Sequence, residues 1–213
     1  YRELQYEGEV LPSIKSFDPD NEFVALAMTF SKPFSAGMKT GYVFLPTELV
    51  TPILDQKSNQ DFGSSNILQH LLNDLMRRGD YAAHVESLRK AYRRKRDIML
   101  AALRRTLGDV PGVSWTEPEG GLYVWMTLPE GVSTCRGQAL FQSCLEAGVL
   151  YVPGDCCFAC EAGQSVPKHH LRLSFGVATP NQIDTGVERL AGCIRRHVTE
   201  TDARPGAGRR QAS

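Results

Sequence analysis

A continuous helical pattern from Tyr81 to about Leu107 divides this chain, and its fold has to be organised around that element. Val85, Leu88, Tyr92, Ile98, Met99 and Leu103 recur at helical spacing, while Arg89, Lys90, Arg93, Arg94, Lys95 and Arg96 fill the remaining positions. The pattern is that of an amphipathic helix with a basic, solvated outer face. Acids and bases balance at 24 each over the 213 residues, so the basic run has no net charge behind it and nucleic-acid binding gains no electrostatic support. Hydrophobic residues make up 42% and charged residues 23%, an ordinary balance for a globular protein. No apolar run reaches membrane-spanning length and no targeting presequence is recognisable, so a cytoplasmic location without a membrane partner is expected.

Before the long helix, Gly8 to Asn21 reads as a loop rich in Pro, Asp and Ser, and Phe23 to Thr29 as a strand. A second short strand is expected from Tyr42 to Leu45. Thr47 is placed as the N-cap of a helix running towards Gln56, with Pro52 as a first-turn or kink residue. Phe62 to Asn66 interrupts it. Ile67, Leu68, Leu71, Leu72, Leu75 and Met76 then recur at helical spacing until Gly79 stops the helix.

From Val110 onward the pattern changes to short strands around turns and then helices. Strands are expected at Val113 to Thr116, Gly121 to Thr127, Val149 to Val152 and Leu171 to Phe175, with helices from Arg136 to Ala147 and from Pro180 to about His197. Such alternation indicates an α/β sandwich of one sheet with helices packed on it. Thr199 to Ser213 has no apolar periodicity and is expected to be a disordered tail.

The chemistry is expected around Lys32, in Thr29-Phe30-Ser31-Lys32 directly after the first strand, with Lys39 seven residues on in Gly37-Met38-Lys39-Thr40-Gly41-Tyr42. A lysine held at the end of a buried strand, near a second cation, has its pKa lowered and becomes nucleophilic. Thr29, Ser31 and Lys39 supply the hydroxyls and the charge that a phosphate ester needs. Gly37 and Gly41 let the backbone bend close to it. The set suits a Schiff base to a phosphorylated aldehyde, pyridoxal 5'-phosphate. The same spacing also fits two ordinary surface lysines on a loop between strands.

Arg172 lies inside the apolar strand Leu171 to Phe175, where a charge is costly unless it meets an anion. It could grip a carboxylate through two parallel hydrogen bonds, or it could sit on the strand's water-facing side. Cys135, Cys144, Cys156, Cys157, Cys160 and Cys193 form no second Cys-x-x-Cys or spaced Cys/His pair, so no metal is expected. A disulfide framework is not expected either. His70 and His84 have no acid and nucleophile at matching spacing.

From the Lys32 motif to about residue 197 the chain resembles a fold-type I aminotransferase of class I/II, nearest the aromatic, 2-aminoadipate and kynurenine branch. The resemblance rests on Thr29-Phe30-Ser31-Lys32, Lys39, Gly41-Tyr42, Glu119 to Trp125, Gly148 to Gly154 and His170 to Phe175, in that order and spacing. It implies the C-terminal part of a large pyridoxal-phosphate domain (1–80), an interdomain helix (81–109), a small α/β domain (110–198) and a tail (199–213). It also implies amino-acid metabolism: transfer of an amino group between an L-amino acid and a 2-oxo acid, with Lys32 as Schiff-base lysine and proton shuttle. Tyr1, Thr29, Ser31, Lys32 and Lys39 would hold the cofactor, Arg172 the substrate carboxylate, and the protein would be a homodimer to which Gly63 to Asn66 could contribute. The six cysteines would be buried free thiols, those from Cys156 on replacing bulky apolar residues.

Two features depart from the family pattern. Lys39 stands where the family has arginine, a point charge in place of a planar fork. The family's aspartate that pairs with the pyridine nitrogen would lie before Tyr1, so these residues read as the C-terminal half of a longer protein. Two alternatives follow: an aminotransferase-like sensor domain of a transcription regulator, or a fragment inactive by itself. In a fragment, sheet edges that the missing half covers would be exposed.

Overall fold

The computed structural model describes residues 2–160 and 164–202. Two compact units emerge. One takes in the chain up to Ala91 together with Glu119–Gly121, and the other takes in Tyr92–Pro118 and the chain from Leu122 onward. Each is described by itself.

In the first unit, β1 (Leu26–Thr29) pairs antiparallel with β2 (Gly41–Phe44), with Leu26 opposite Phe44 and Thr29 opposite Gly41. Helices α1 (Thr47–Asp61), α2 (Asn66–Arg77) and the start of α3 (Asp80–Leu107) follow. Pro46, not Thr47, is the N-cap of α1, and the helix passes Pro52 and ends at Asp61. The core is small: Phe30, Met38, Leu72, Tyr81 and Val85, with Phe34 and Leu68 against it. No residue of α1 is buried, and Leu49, Val50, Ile53, Leu54 and the strand residues Tyr42, Val43 and Phe44 are exposed. The segment 4–7 lies along Glu119–Gly121: Gln5 bridges Gly120, Tyr6 and Glu7 donate their N–H groups to the Glu119 carbonyl, and Gly121 donates to that of Leu4. A Cβ on Gly120 would stand 2.9 Å from the Gln5 Cα, so only glycine admits this approach.

The first strand begins at Leu26, three residues later than expected. The Asp18 carboxylate accepts from the backbone N–H groups of Glu22 (2.9 Å), Phe23 (3.2 Å) and Val24 (2.9 Å), so these donors are committed to a side chain rather than to a ladder. Phe23 is left 84% exposed. The Lys15 ammonium, followed by the N–H groups of Val24 and Glu22, holds the Asp18 carboxyl well below the usual carboxylate range. The folded state therefore binds that proton more weakly than the unfolded chain does. The clamp's contribution is fully present above about pH 4 and is lost as pH falls through the depressed folded value. Amide-exchange protection at Glu22, Phe23 and Val24 is expected to hold from pH 6 to about pH 4 and to fall progressively below it. Asp18→Asn is expected to lower it at pH 6 and flatten the profile, and an unchanged profile in that variant would contradict the assignment.

The second unit has a four-stranded, wholly antiparallel sheet in the order β3 (Ser114–Trp115), β4 (Tyr123–Thr127), β6 (His170–Ser174), β5 (Val152–Pro153). The C-terminal part of α3, α4 (Ala139–Glu146) and α5 (Pro180–Asp202) share one core with Val124, Met126, Leu171 and Leu173 from one face of this sheet, through residues such as Leu103, Leu140 and Ile194. This is the expected α/β sandwich.

Several boundaries differ from expectation for local reasons. Val149 donates to the Cys144 carbonyl at 2.8 Å across the left-handed Gly148, so it closes α4 instead of opening a strand, and Pro153 has no N–H with which to extend one. Gly137, at φ 80°, delays the start of α4 to Ala139. Helix α5 continues to Asp202, so Thr199 belongs to it rather than to a tail; residues 203–213 lie outside the described residues. Arg96 is buried, not on a solvated face: it donates to the Pro118 carbonyl at 2.9 Å and pairs with Asp97.

Candidate active site

Lys32 sits in the turn that leaves β1, within a loop closed at its base by Phe30 N–H donating to the Thr40 carbonyl at 3.1 Å. The Phe30 carbonyl accepts from both Phe34 and Ser35 at 3.0 Å. Phe30, Pro33 and Met38 are buried and Phe34 packs against the same core, whereas Lys32 and Lys39 are exposed and Ser31 is half-buried. The Thr29 hydroxyl accepts from Ser31 N–H (3.1 Å) and donates to Ser31 Oγ (2.9 Å). That leaves the Ser31 O–H as a donor for a ligand.

The expected burial of Lys32 is not what these residues provide. β1 alternates between half-buried and exposed positions and, among the described residues, pairs only with β2, so one edge stays open. The two glycines also act differently from expectation. A Cβ on Gly41 would lie 2.5 Å from the Met28 carbonyl oxygen, so Gly41 serves the strand pairing, whereas Gly37 has room for a side chain. The left-handed turn is made by Lys39 itself, at φ 48°. Tyr1 lies outside the described residues. A loop so built offers primary amines to a carbonyl carbon, and ammonium and hydroxyl donors to an anion.

Arg172 is on β6, opposite Trp125 and Val152, on the sheet face away from the core. Its guanidinium carbon stacks 4.2 Å from the centre of the Tyr123 ring, and its Nε is buried without a hydrogen-bond partner. A buried unpaired donor is costly, and an oxygen anion would satisfy it. Beside it, Trp125 stacks on His170 at 5.5 Å, Phe158 packs against both, and Thr127 Oγ1 lies 3.0 Å from His170 Nδ1. Burial, with His169 beside it, pushes the His170 imidazole below its ordinary pKa. Sequence reasoning missed this aromatic surround. The alternation of Tyr123, Trp125 and Thr127 with buried residues carried the signal.

The cysteines are free thiols, but burial holds only for Cys144 and Cys193, with Cys135 half-buried. Cys156, Cys157 and Cys160 are exposed, as is Phe158 beside them, although its ring reaches Trp125 and His170. Among the described residues, no three His, Cys, Asp or Glu side chains are grouped to hold a metal ion, and no helix is long and apolar enough to cross a membrane. His70 and His84 are exposed, His84 lying edge-on to Phe34.

The lysine-bearing hairpin loop thus lies in one unit and the stacked arginine on the antiparallel sheet of the other. Residues 2–190 match the aminotransferase class I and II family, and the chain belongs to that family. Aromatic-amino-acid aminotransferase 1 of Thermococcus litoralis is 32% identical over 198 residues, which are 93% of this chain and 45% of that protein. The crystal structure of LysN, the α-aminoadipate aminotransferase of Thermus thermophilus, complexed with N-(5'-phosphopyridoxyl)-L-leucine, superposes with a TM-score of 0.82 at 30% identity, covering 94% of this chain and 49% of that one. An uncharacterized HTH-type transcriptional regulator of Bacillus subtilis, YisV, is 27% identical over 92% of this chain and 38% of its own length. The chain thus spans about half the length of the relatives it matches, 45% of the Thermococcus litoralis protein.

Proposed function

We propose that the complete protein is a pyridoxal 5'-phosphate-dependent aminotransferase that moves an amino group between an L-amino acid and a 2-oxo acid. The observation that carries this reading is the pinned loop of a family member presenting Lys32, Lys39 and the Thr29–Ser31 hydroxyl pair together. When bound, the cofactor supplies an aldehyde for a primary amine and a ring that takes up the electron pair released at the substrate α-carbon. Lys32 Nζ is the amine. Once free, it takes the proton from the α-carbon and returns it, as base and then acid. The Ser31 hydroxyl, oriented by that of Thr29, and the Lys39 ammonium would hold the phosphate ester, and Tyr1 would contribute the phenol expected at the family's corresponding position.

Arg172 binds the α-carboxylate, and its buried, unpaired Nε supports that role. Residues 1–80 then belong to the cofactor domain, 81–109 to a linking helix and 110–198 to the small domain. The uncovered apolar side chains of α1 and of Phe62, 94% exposed at its end, support a homodimer, with further cover from the rest of the polypeptide. A cytoplasmic location belongs to the same reading.

The test is to add pyridoxal phosphate to the chain, reduce with borohydride and map the modified peptide. A stoichiometric adduct confined to Lys32 is expected. Scattered labelling of many lysines would overturn the role of Lys32. No adduct on these 213 residues would favour a fragment inactive by itself, and the same labelling on the complete protein then decides whether Lys32 is the cofactor lysine. The similarity to a transcription regulator favours a second reading, in which the same loop serves an effector sensor. Steady formation of 2-oxo acid by the complete protein separates the enzyme from a sensor that binds without turnover.

A further inference from the structure

The loop that carries Lys32 is held from below by one aromatic side chain with a charged tether. Tyr81, at the start of α3, is only 8% exposed. Its ring meets Phe30 edge-on at 5.9 Å and Phe34 at 5.7 Å, the two aromatic residues that bracket Ser31-Lys32-Pro33. Its hydroxyl lies 2.8 Å and 2.9 Å from the two carboxylate oxygens of Glu3. Glu3 is fixed in turn, because Arg89 Nε donates to its backbone carbonyl at 2.8 Å. Burial, and then Glu3, pushes the Tyr81 phenol above its ordinary range, so it remains a donor.

A tyrosine ring packed only by van der Waals contact can rock about its Cα–Cβ bond, and a hydrogen bond from its far end to an anchored carboxylate removes that freedom. Phe30 and Phe34 are the two supports between which Lys32 projects, so the angle of the Tyr81 ring sets the angle of the loop. We propose that Tyr81, tethered by Glu3, is a positioning residue for Lys32, fixing the direction in which its amine meets the cofactor. The proposal rests on the reading of Lys32 as the cofactor lysine.

Tyr81→Phe keeps the ring and removes only the tether; Glu3→Gln keeps an acceptor without the charge; Val85→Ala, in the same cluster, removes packing alone. Each is titrated with pyridoxal phosphate, following borohydride-trapped Lys32 per folded molecule, alongside the thermal midpoint. For Tyr81→Phe, half-saturation is expected at about tenfold higher cofactor, with a fall in the midpoint no larger than that of Val85→Ala. Glu3→Gln should fall between it and the parent. Val85→Ala should show the reverse pattern, a lower midpoint with half-saturation within about twofold of the parent. A merely structural role would make affinity and midpoint move together in all three.

If the parent chain labels Lys32 and Tyr81→Phe titrates identically, the proposal fails and the proposed function stands. If the complete protein forms no adduct on Lys32, the proposed function fails. The tether is then judged by exchange of the Phe34 and Ser35 amides, which both bond the Phe30 carbonyl. Exchange about tenfold faster in Tyr81→Phe sustains it, and equal rates overturn it.

Discussion

Lys32→Ala in the complete protein is expected to lower transamination by about 10⁴-fold, since positioned acid–base groups contribute up to that order and the attachment point for the cofactor is lost as well. The fold should not notice. Lys32 is exposed, and the loop is pinned by Phe30, Pro33 and Met38 and by the hydrogen bond between Phe30 and Thr40, none of which involves the lysine side chain. Thermal midpoint and circular dichroism are therefore expected to match the parent while turnover disappears. Lys39→Ala should lower cofactor affinity rather than abolish turnover. The left-handed backbone at this position is already borne by a residue with a Cβ, so alanine adds no strain there, and a weaker phosphate grip with the loop intact is expected. Full turnover by Lys32→Ala, measured as 2-oxo acid released, would remove Lys32 from the chemistry.

How much of this was legible in the sequence depends on whether the signal was local. The long helix was expected from Tyr81 to Leu107 and runs from Asp80 to Leu107, because its apolar spacing is regular and Gly79, at φ 84°, can only end what precedes it. The loop carrying Lys32 was found for the same reason: a strand, a hydroxyl-rich turn and a second strand lie within twenty residues of each other. What failed depended on particular side-chain partners that no local propensity records. The late start of β1 is caused by a carboxylate that collects backbone donors four to six residues downstream, and no strand propensity records that. Arg96 looks like one of six basic residues on a helix face until the Pro118 carbonyl arrives from the following loop to bury it. Cys156 and Cys157 belong to a run, residues 156–160, that is exposed throughout, Phe158 included, and residue type alone does not record that. The burial expected for Lys32 was an attribute of a whole domain and not of these residues.

Arg172→Leu tests the other unit, and its expected signature is a loss of function without a loss of stability. In the complete protein, kcat/KM for the amino acid is expected to fall by about 10²- to 10³-fold, the order for a charge-assisted, two-pronged carboxylate contact. The thermal midpoint should hold or rise, because the substitution removes a buried Nε that has no protein partner and leaves the core untouched: Arg172 faces away from Leu171 and Leu173, which carry the packing. Arg172→Lys should recover little of the activity. An ammonium has no plane to lay on the Tyr123 ring 4.2 Å away and cannot reproduce the fork of donors that a carboxylate meets. Tyr123→Leu, which leaves the guanidinium but takes away the surface that orients it, should then raise KM by less than Arg172→Leu does and by more than Tyr123→Phe, which retains the ring face. If Arg172→Leu instead lowered stability and left KM unchanged, the arginine would be a structural strand residue, and the carboxylate contact would have to be sought elsewhere.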